Sequence, residues 1–213
     1  EGELRRINRV ANGSLFALVI GGQNLFGTLY SATMRVNSLL RSADETIKAE
    51  PPAPASADAF QLLIPPEAIE KFLAEARARC EEWRVAIEGI VTRRVLPEAD
   101  SFLRWARCEY AEVGLRLATP PAIGGAVRSA QLRRGLIDAA IDAGGSFPIA
   151  RTRDATRDQV AACYPELPAF LAEKRRIDPS EKLVNPWYLH HRNLFARRSC
   201  AVRFQTDAPP NTT

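Results

Sequence analysis

Proline decides how the first part of this chain can be organised. Pro51-Pro52-Ala53-Pro54-Ala55-Ser56-Ala57 is dense in a residue that lacks the N–H needed for a helix or a sheet ladder, and whose ring pushes the preceding residue out of the helical region. The sequence therefore divides into residues 1–36, a linker at 37–58, a second unit at 59–198 and a loose polar tail at 199–213.

In the first unit, the apolar run Ser14-Leu15-Phe16-Ala17-Leu18-Val19-Ile20 predicts a short helix, and Gly21-Gly22-Gln23-Asn24-Leu25-Phe26-Gly27 a tight turn. Residues 28–36 put Thr28, Tyr30, Ala32, Met34 and Val36 on one side at period two, the pattern of a strand. In the second unit, strands are expected at 60–64, 85–95, 110–117 and 146–150. Pro65-Pro66-Glu67 opens a helix that runs to Glu82 with Ile69, Phe72, Leu73, Ala76 and Cys80 on one face. Residues 100–106 predict a capped helical turn, residues 129–143 a helix stopped by Gly144-Gly145, and Thr156-Arg157-Asp158-Gln159 a capping box. Asp178-Pro179 ends a further helix. The alternation implies an α+β fold, a largely antiparallel sheet with helices on one face.

Several function classes fall away. No run reaches the roughly 18 to 20 apolar residues of a membrane span, and the N-terminus has no export pattern, so a soluble, cytoplasmic protein is expected. Cys80, Cys108, Cys163 and Cys200 are widely spaced, which predicts buried reduced thiols. The net charge of +4 is spread among interleaved acidic residues, which argues against nucleic-acid binding. His190-His191 point in different directions on a regular element and have no accompanying ligand cluster, so no metal is expected and the pair reads as part of a solvated helix. Tyr164 reads as a packing residue. No Ser/His/Asp or Cys/His arrangement supports hydrolysis.

Tyr164-Pro165-Glu166-Leu167-Pro168, Lys174-Arg175-Arg176-Ile177-Asp178-Pro179 and Asn185-Pro186-Trp187-Tyr188 together resemble the terminal signature of FAD-linked oxidases of the vanillyl-alcohol-oxidase and lactone-oxidase type. In that family this region forms a helix over the substrate pocket and returns to the flavin domain. The glycine-rich turn lacks the GxGxxG and GK[ST] patterns, yet resembles the element where the family's FAD-binding domain passes its cofactor. Asn24 stands at the usual glycine and tolerates left-handed backbone angles. Phe60-Gln61-Leu62-Leu63-Ile64-Pro65-Pro66-Glu67 is similar to the strand-to-helix entry of the substrate domain, as Leu136-Ile137-Asp138 with Gly144-Gly145-Ser146-Phe147 is to a later entry. Thr92-Arg93-Arg94 with the segment Ser101-Phe102-Leu103-Arg104-Trp105-Ala106-Arg107 resembles lactone-oxidase-like members, and the comparison extends to decaprenylphosphoryl-ribose oxidase, whose active-site lysine falls on Arg151.

The resemblance implies that Arg151, then Arg153 and Arg93, act at the reacting centre, where a guanidinium stabilises developing charge without titrating. It implies that Gly21, Gly22, Asn24, Gly27, Asn185, Trp187 and Tyr188 lie beside FAD. The expected activity is oxidation of an alcohol, lactone or sugar-like CH–OH group of a small-molecule substrate by hydride transfer to flavin. Residues 1–36 would be the end of an FAD-binding domain whose remainder, holding most of the cofactor, lies on another segment or subunit. Without that layer, exposed apolar surface invites self-association. Two alternatives stay open: a non-catalytic cap-like interaction module, and a degenerate fragment that no longer binds flavin. The arginines would then make only surface ion pairs.

Overall fold

Successive side chains of a strand point to opposite faces, and the alternation at residues 110–117 builds the central strand of the sheet. A computed structural model describes residues 3–33, 59–118 and 125–196. Within them β1 (Phe60–Ile64), β2 (Ile87–Val95) and β3 (Tyr110–Leu117) form an antiparallel sheet in the order β1-β3-β2. Phe60 pairs with Leu115, Leu62 with Val113 and Ile64 with Ala111 along one edge of β3; Arg93 pairs with Glu112 and Val95 with Tyr110 along the other. The β2–β3 register slips between Ile87 and Gly89.

Helices cover one face. After a 3-10 turn at Pro66–Ala68, α2 (Ile69–Glu82) turns Phe72, Ala76 and Cys80 inward, and α3 (Gly125–Asp142) buries Leu132, Leu136, Ile137 and Ala140. These side chains meet Phe60, Leu62, Ile64, Val113 and Leu115 in one apolar cluster. Each such leucine or isoleucine contributes about 1.5–3 kcal/mol. The fold is therefore α+β with an antiparallel sheet, as the periodicities imply. On the opposite face Leu63, Val95, Ala106 and Tyr110 form a smaller cluster under Trp105.

Four shorter helices complete the described chain: α1 (Gly13–Val19), α4 (Arg157–Cys163), α5 (Leu167–Ile177) and α6 (Pro186–Ala196). Thr156 and Gln159 form the expected capping box at α4, and Gln159 also reaches Asp138 on α3 at 2.6 Å. Gly144 closes α3 at φ +76°, a left-handed stop.

The structure departs from the sequence pattern in places, each for a local reason. Residues 28–33 form no strand and pair with none among the described residues; Leu29 and Tyr30 are exposed. Met34, Val36, the linker, Cys200 and the tail lie outside the described residues. Residues 100–106 are bends, because the Glu98 carboxylate captures the Ser101 N–H and hydroxyl, and Phe102 donates its N–H to Ala17 O at 2.8 Å. The strand expected at 146–150 shrinks to one bridge, Ser146 with Leu63. Pro148 has no N–H to extend it, and its carbonyl instead accepts from Arg151 and Thr152. Cys80 and Cys163 are buried, but Cys108 is exposed.

The glycine turn is packed into the same core. Leu18 and Leu25 belong to the main apolar cluster, and Phe26 meets Phe170 of α5 edge-on, with centroids 5.0 Å apart. Gly22 is required by contact: a Cβ there would lie 1.9 Å from Leu18 O, which is backbone and cannot step aside. Gly22→Ala is expected to lower the unfolding free energy in urea by at least about 2 kcal/mol. Gly13, with open space around it, serves as the control: Gly13→Ala should change that value by less than about 1 kcal/mol.

The motif that ends α5 is a buried ion pair. Lys174 is fully buried, and its ammonium donates to Asp178 Oδ2 at 2.5 Å. Asp178 also accepts the N–H groups of Lys182 and Leu183. Its carboxyl is held well below the ordinary range, first by Lys174 and then by these two amides. Removing one partner of such a pair is worse when the survivor is the buried charge. Asp178→Ala should therefore depress the thermal midpoint more than Lys174→Met, which keeps the volume and leaves the carboxylate near solvent. Equal depression in a melting experiment would contradict this account of the pair.

Candidate functional site

Strand pleating assembles the first part of the site. Leu62 points into the helix-covered core, so Gln61 and Leu63 face the other side of the sheet. Gln61 pairs with Gly114 and Leu63 with Glu112, which makes Gln61 and Glu112 diagonal neighbours on that face. Both are buried. Each holds an arginine: Arg151 Nη1 donates to Gln61 Oε1 at 2.7 Å, and Arg93 Nη2 donates to Glu112 Oε2. Arg151 reaches Gln61 because the turn anchored on Pro148 folds the chain back beside β1. Two exposed guanidiniums are thus tied to buried acceptors on the face opposite α2 and α3.

Arg153 is not brought to this strip. It is exposed and lies toward α6, where its charge adds to burial in holding His190 and His191 below the ordinary imidazole range.

The second part is the junction between the glycine turn and the start of α6. Gly21, Gln23, Asn24 and Gly27 all have positive φ, at 71°, 55°, 60° and 150°. Asn24 takes the left-handed geometry expected of it. Asn185 donates from Nδ2 to Gln23 O at 2.8 Å and accepts the Tyr188 N–H on Oδ1 at 2.8 Å, so it caps α6 and fastens it to the turn in one step. Trp187 and Tyr188 are buried within the chain itself. Trp187 Nε1 donates to Ile149 O at 2.9 Å, and the Tyr188 hydroxyl donates to Glu181, which Arg192 also engages. The expected cofactor-side residues from 185 to 188 are therefore occupied with internal partners, and they position the turn and the 149–151 segment.

Some of these residues could not be singled out from the sequence. Glu112 occupies what reads as the solvent side of an alternating strand, yet it is buried and is paired with Arg93 from β2. Gln61 sits inside a quoted motif, but only the fold places it under Arg151. Tyr164 is the packing residue it was read to be: fully buried, its hydroxyl donates to Phe147 O and accepts the Ile149 N–H, fixing the segment that leads to Arg151.

His191 overturns the expectation of a solvated pair. It lies one turn beyond Trp187 on the inward side of α6, is buried, and engages Trp187 O through Nδ1 at 2.8 Å. Among the described residues no group of three or more His, Cys, Asp or Glu side chains is placed to hold a metal ion, and no helix is long and apolar enough to cross a membrane. No protein-family model matches the chain, and no curated protein matches it.

Burial, opposed by the bond to Trp187 O, pushes His191 down to about 4, so the folded state keeps this imidazole neutral where the unfolded chain protonates it. No cost arises above the ordinary value near 6.5. As pH falls from there toward 4 the unfolded state binds the extra proton and stability declines, by roughly 3 kcal/mol in all. Urea midpoints measured across that window should fall for the native sequence, and the fall should shrink in His191→Phe.

Proposed function

We propose that this chain is the substrate-side part of an FAD-dependent oxidoreductase, acting on an alcohol, lactone or sugar-like CH–OH group. The observation that carries this reading is Arg151, an exposed guanidinium fixed by buried Gln61 beside the Glu112–Arg93 pair. It stands at the position where the oxidase-type sequence pattern places a cation at the reacting centre.

The residues on this face fit such a group. Only one N–H of Arg151 is used by Gln61, which leaves planar donors for an anionic ring edge or a substrate oxygen, and a guanidinium stays charged throughout. Bound flavin would supply the hydride acceptor. Arg151 orients the oxygen of the reacting group or offsets charge that develops near it, and Gln61 sets the direction of that guanidinium. Glu112 holds Arg93 against the sheet and keeps a second positive charge close by. Gly21, Gly22, Asn24 and Gly27 bring backbone to the cofactor side, with Asn185 holding the turn's shape. Trp187 and Tyr188 support from behind. Arg153 has no direct part here.

Most of the flavin's affinity would come from a pyrophosphate-binding domain carried on another segment or subunit. The chain should give a weak flavin difference spectrum alone and a stronger one with such a domain supplied in trans. Arg151→Ala should weaken the interaction about tenfold without changing the far-ultraviolet circular dichroism, and Arg151→Lys should recover part of it. Absence of any flavin difference spectrum in both settings would sink the proposal and leave the cap-like interaction module in its place.

A further inference from the structure

A recess of about 240 Å³ opens elsewhere on the molecule, and none of the strip residues Arg151, Gln61, Glu112 or Arg93 lines it. Its walls come from the loop before β3, the first residue of β3 and the C-terminal ends of α3 and α4. Arg104 and Arg107 supply charge, Trp105 and Ile141 supply apolar surface, and Tyr110 and Ser146 are the hydroxyl-bearing residues.

The charges at this recess are only partly matched within the fold. The lining residues include no Asp or Glu. Arg107 meets Glu166 at 2.8 Å, but that pair is open to water and contributes little. Arg104 is exposed and has no ion-pair or hydrogen-bond partner among the described residues. Burial, with Cys108 next, pushes Tyr110 up to about 12, so its hydroxyl keeps its proton and stays able to donate.

Charge and size narrow the ligand. Glu166 already offsets Arg107, which leaves Arg104 as the one unmatched positive charge, and the helix C-termini beside the recess weigh further against a dianion, so the match is for one negative charge rather than two. The volume is below the roughly 300 Å³ at which pockets for drug-sized ligands begin. A carboxylate suits the planar fork of an arginine, and an indole ring accepts an aromatic partner by stacking or edge contact.

We infer that this recess binds a small aromatic monocarboxylate, its carboxylate held by Arg104 and Arg107 and its ring set against Trp105. This does not rest on the flavin reading.

Benzoate titrated into the full chain by calorimetry is the test. Saturable binding at one site is expected, weakened about tenfold by Arg104→Ala and by Arg107→Ala and unchanged by Arg128→Ala, an exposed arginine that does not line the recess. Arg104 is exposed, so its variant should keep the fold, which circular dichroism checks even if the Arg107 variant does not. Four outcomes overturn the inference: no saturation in the tens of millimolar, equal binding of benzyl alcohol, tighter binding of the phenylphosphonate dianion, or a loss in Arg128→Ala as large as in Arg104→Ala.

Discussion

The ion pair between Lys174 and Asp178 determines how the C-terminal third of the chain is arranged. A fully buried ammonium is tolerable only with a fixed counter-charge, and Asp178 is fixed because it also accepts two backbone amides from the loop beyond it. That loop therefore turns at Asp178 and delivers α6 across α5. Tyr188 then lies between two cations, with Lys174 and Arg192 each just under 6 Å from its ring centre. From this fixed start, Asn185 reaches the glycine turn and Trp187 reaches Ile149, two residues before Arg151. Thus the position of the proposed reacting-centre arginine is linked by direct contacts to a salt bridge buried inside the fold.

An aromatic column reinforces the same arrangement. Phe170 contacts Phe26 from the turn, Phe102 from the loop and Trp187 from α6. One side chain of α5 thereby joins three distant stretches of sequence, and edge-to-face geometry makes the contacts with Phe26 and Trp187 directional as well as apolar. Residues 13–27 are consequently part of the core rather than an appendage, although the proline-rich stretch sets them apart in sequence.

Much of the architecture was legible because it depends on local signals. The period-two run at residues 110–117, the Pro65-Pro66-Glu67 helix start, the Thr156–Gln159 box and the Gly144-Gly145 stop each encode their own geometry. Failures came where distant partners decide the outcome. Residues 28–33 have strand periodicity but no partner strand among the described residues, and Ser101 and Glu98 satisfy each other in a way that unwinds an expected helical turn. The site was legible in the same uneven manner. Arg151 and Arg93 could be named, and the fold puts both on one face of the sheet; Arg153, two positions from Arg151, turns toward α6. Gln61 and Glu112 stayed hidden because their meaning lies in cross-strand register, and His191 because only packing reveals which side of α6 faces inward.

The slipped pairing between Ile87 and Gly89 bears on how copies of the molecule meet one another. On the β1 side, Ser146 already takes Leu63's outward backbone groups. On the β2 side, the register shift interrupts the ladder near the start of the strand, and Arg93 and Arg94 are held there in ion pairs with Glu112 and Glu109. A second chain offering its own strand there would meet a poorly matched template edged with charged side chains. Fibril-like stacking through this border is thereby disfavoured.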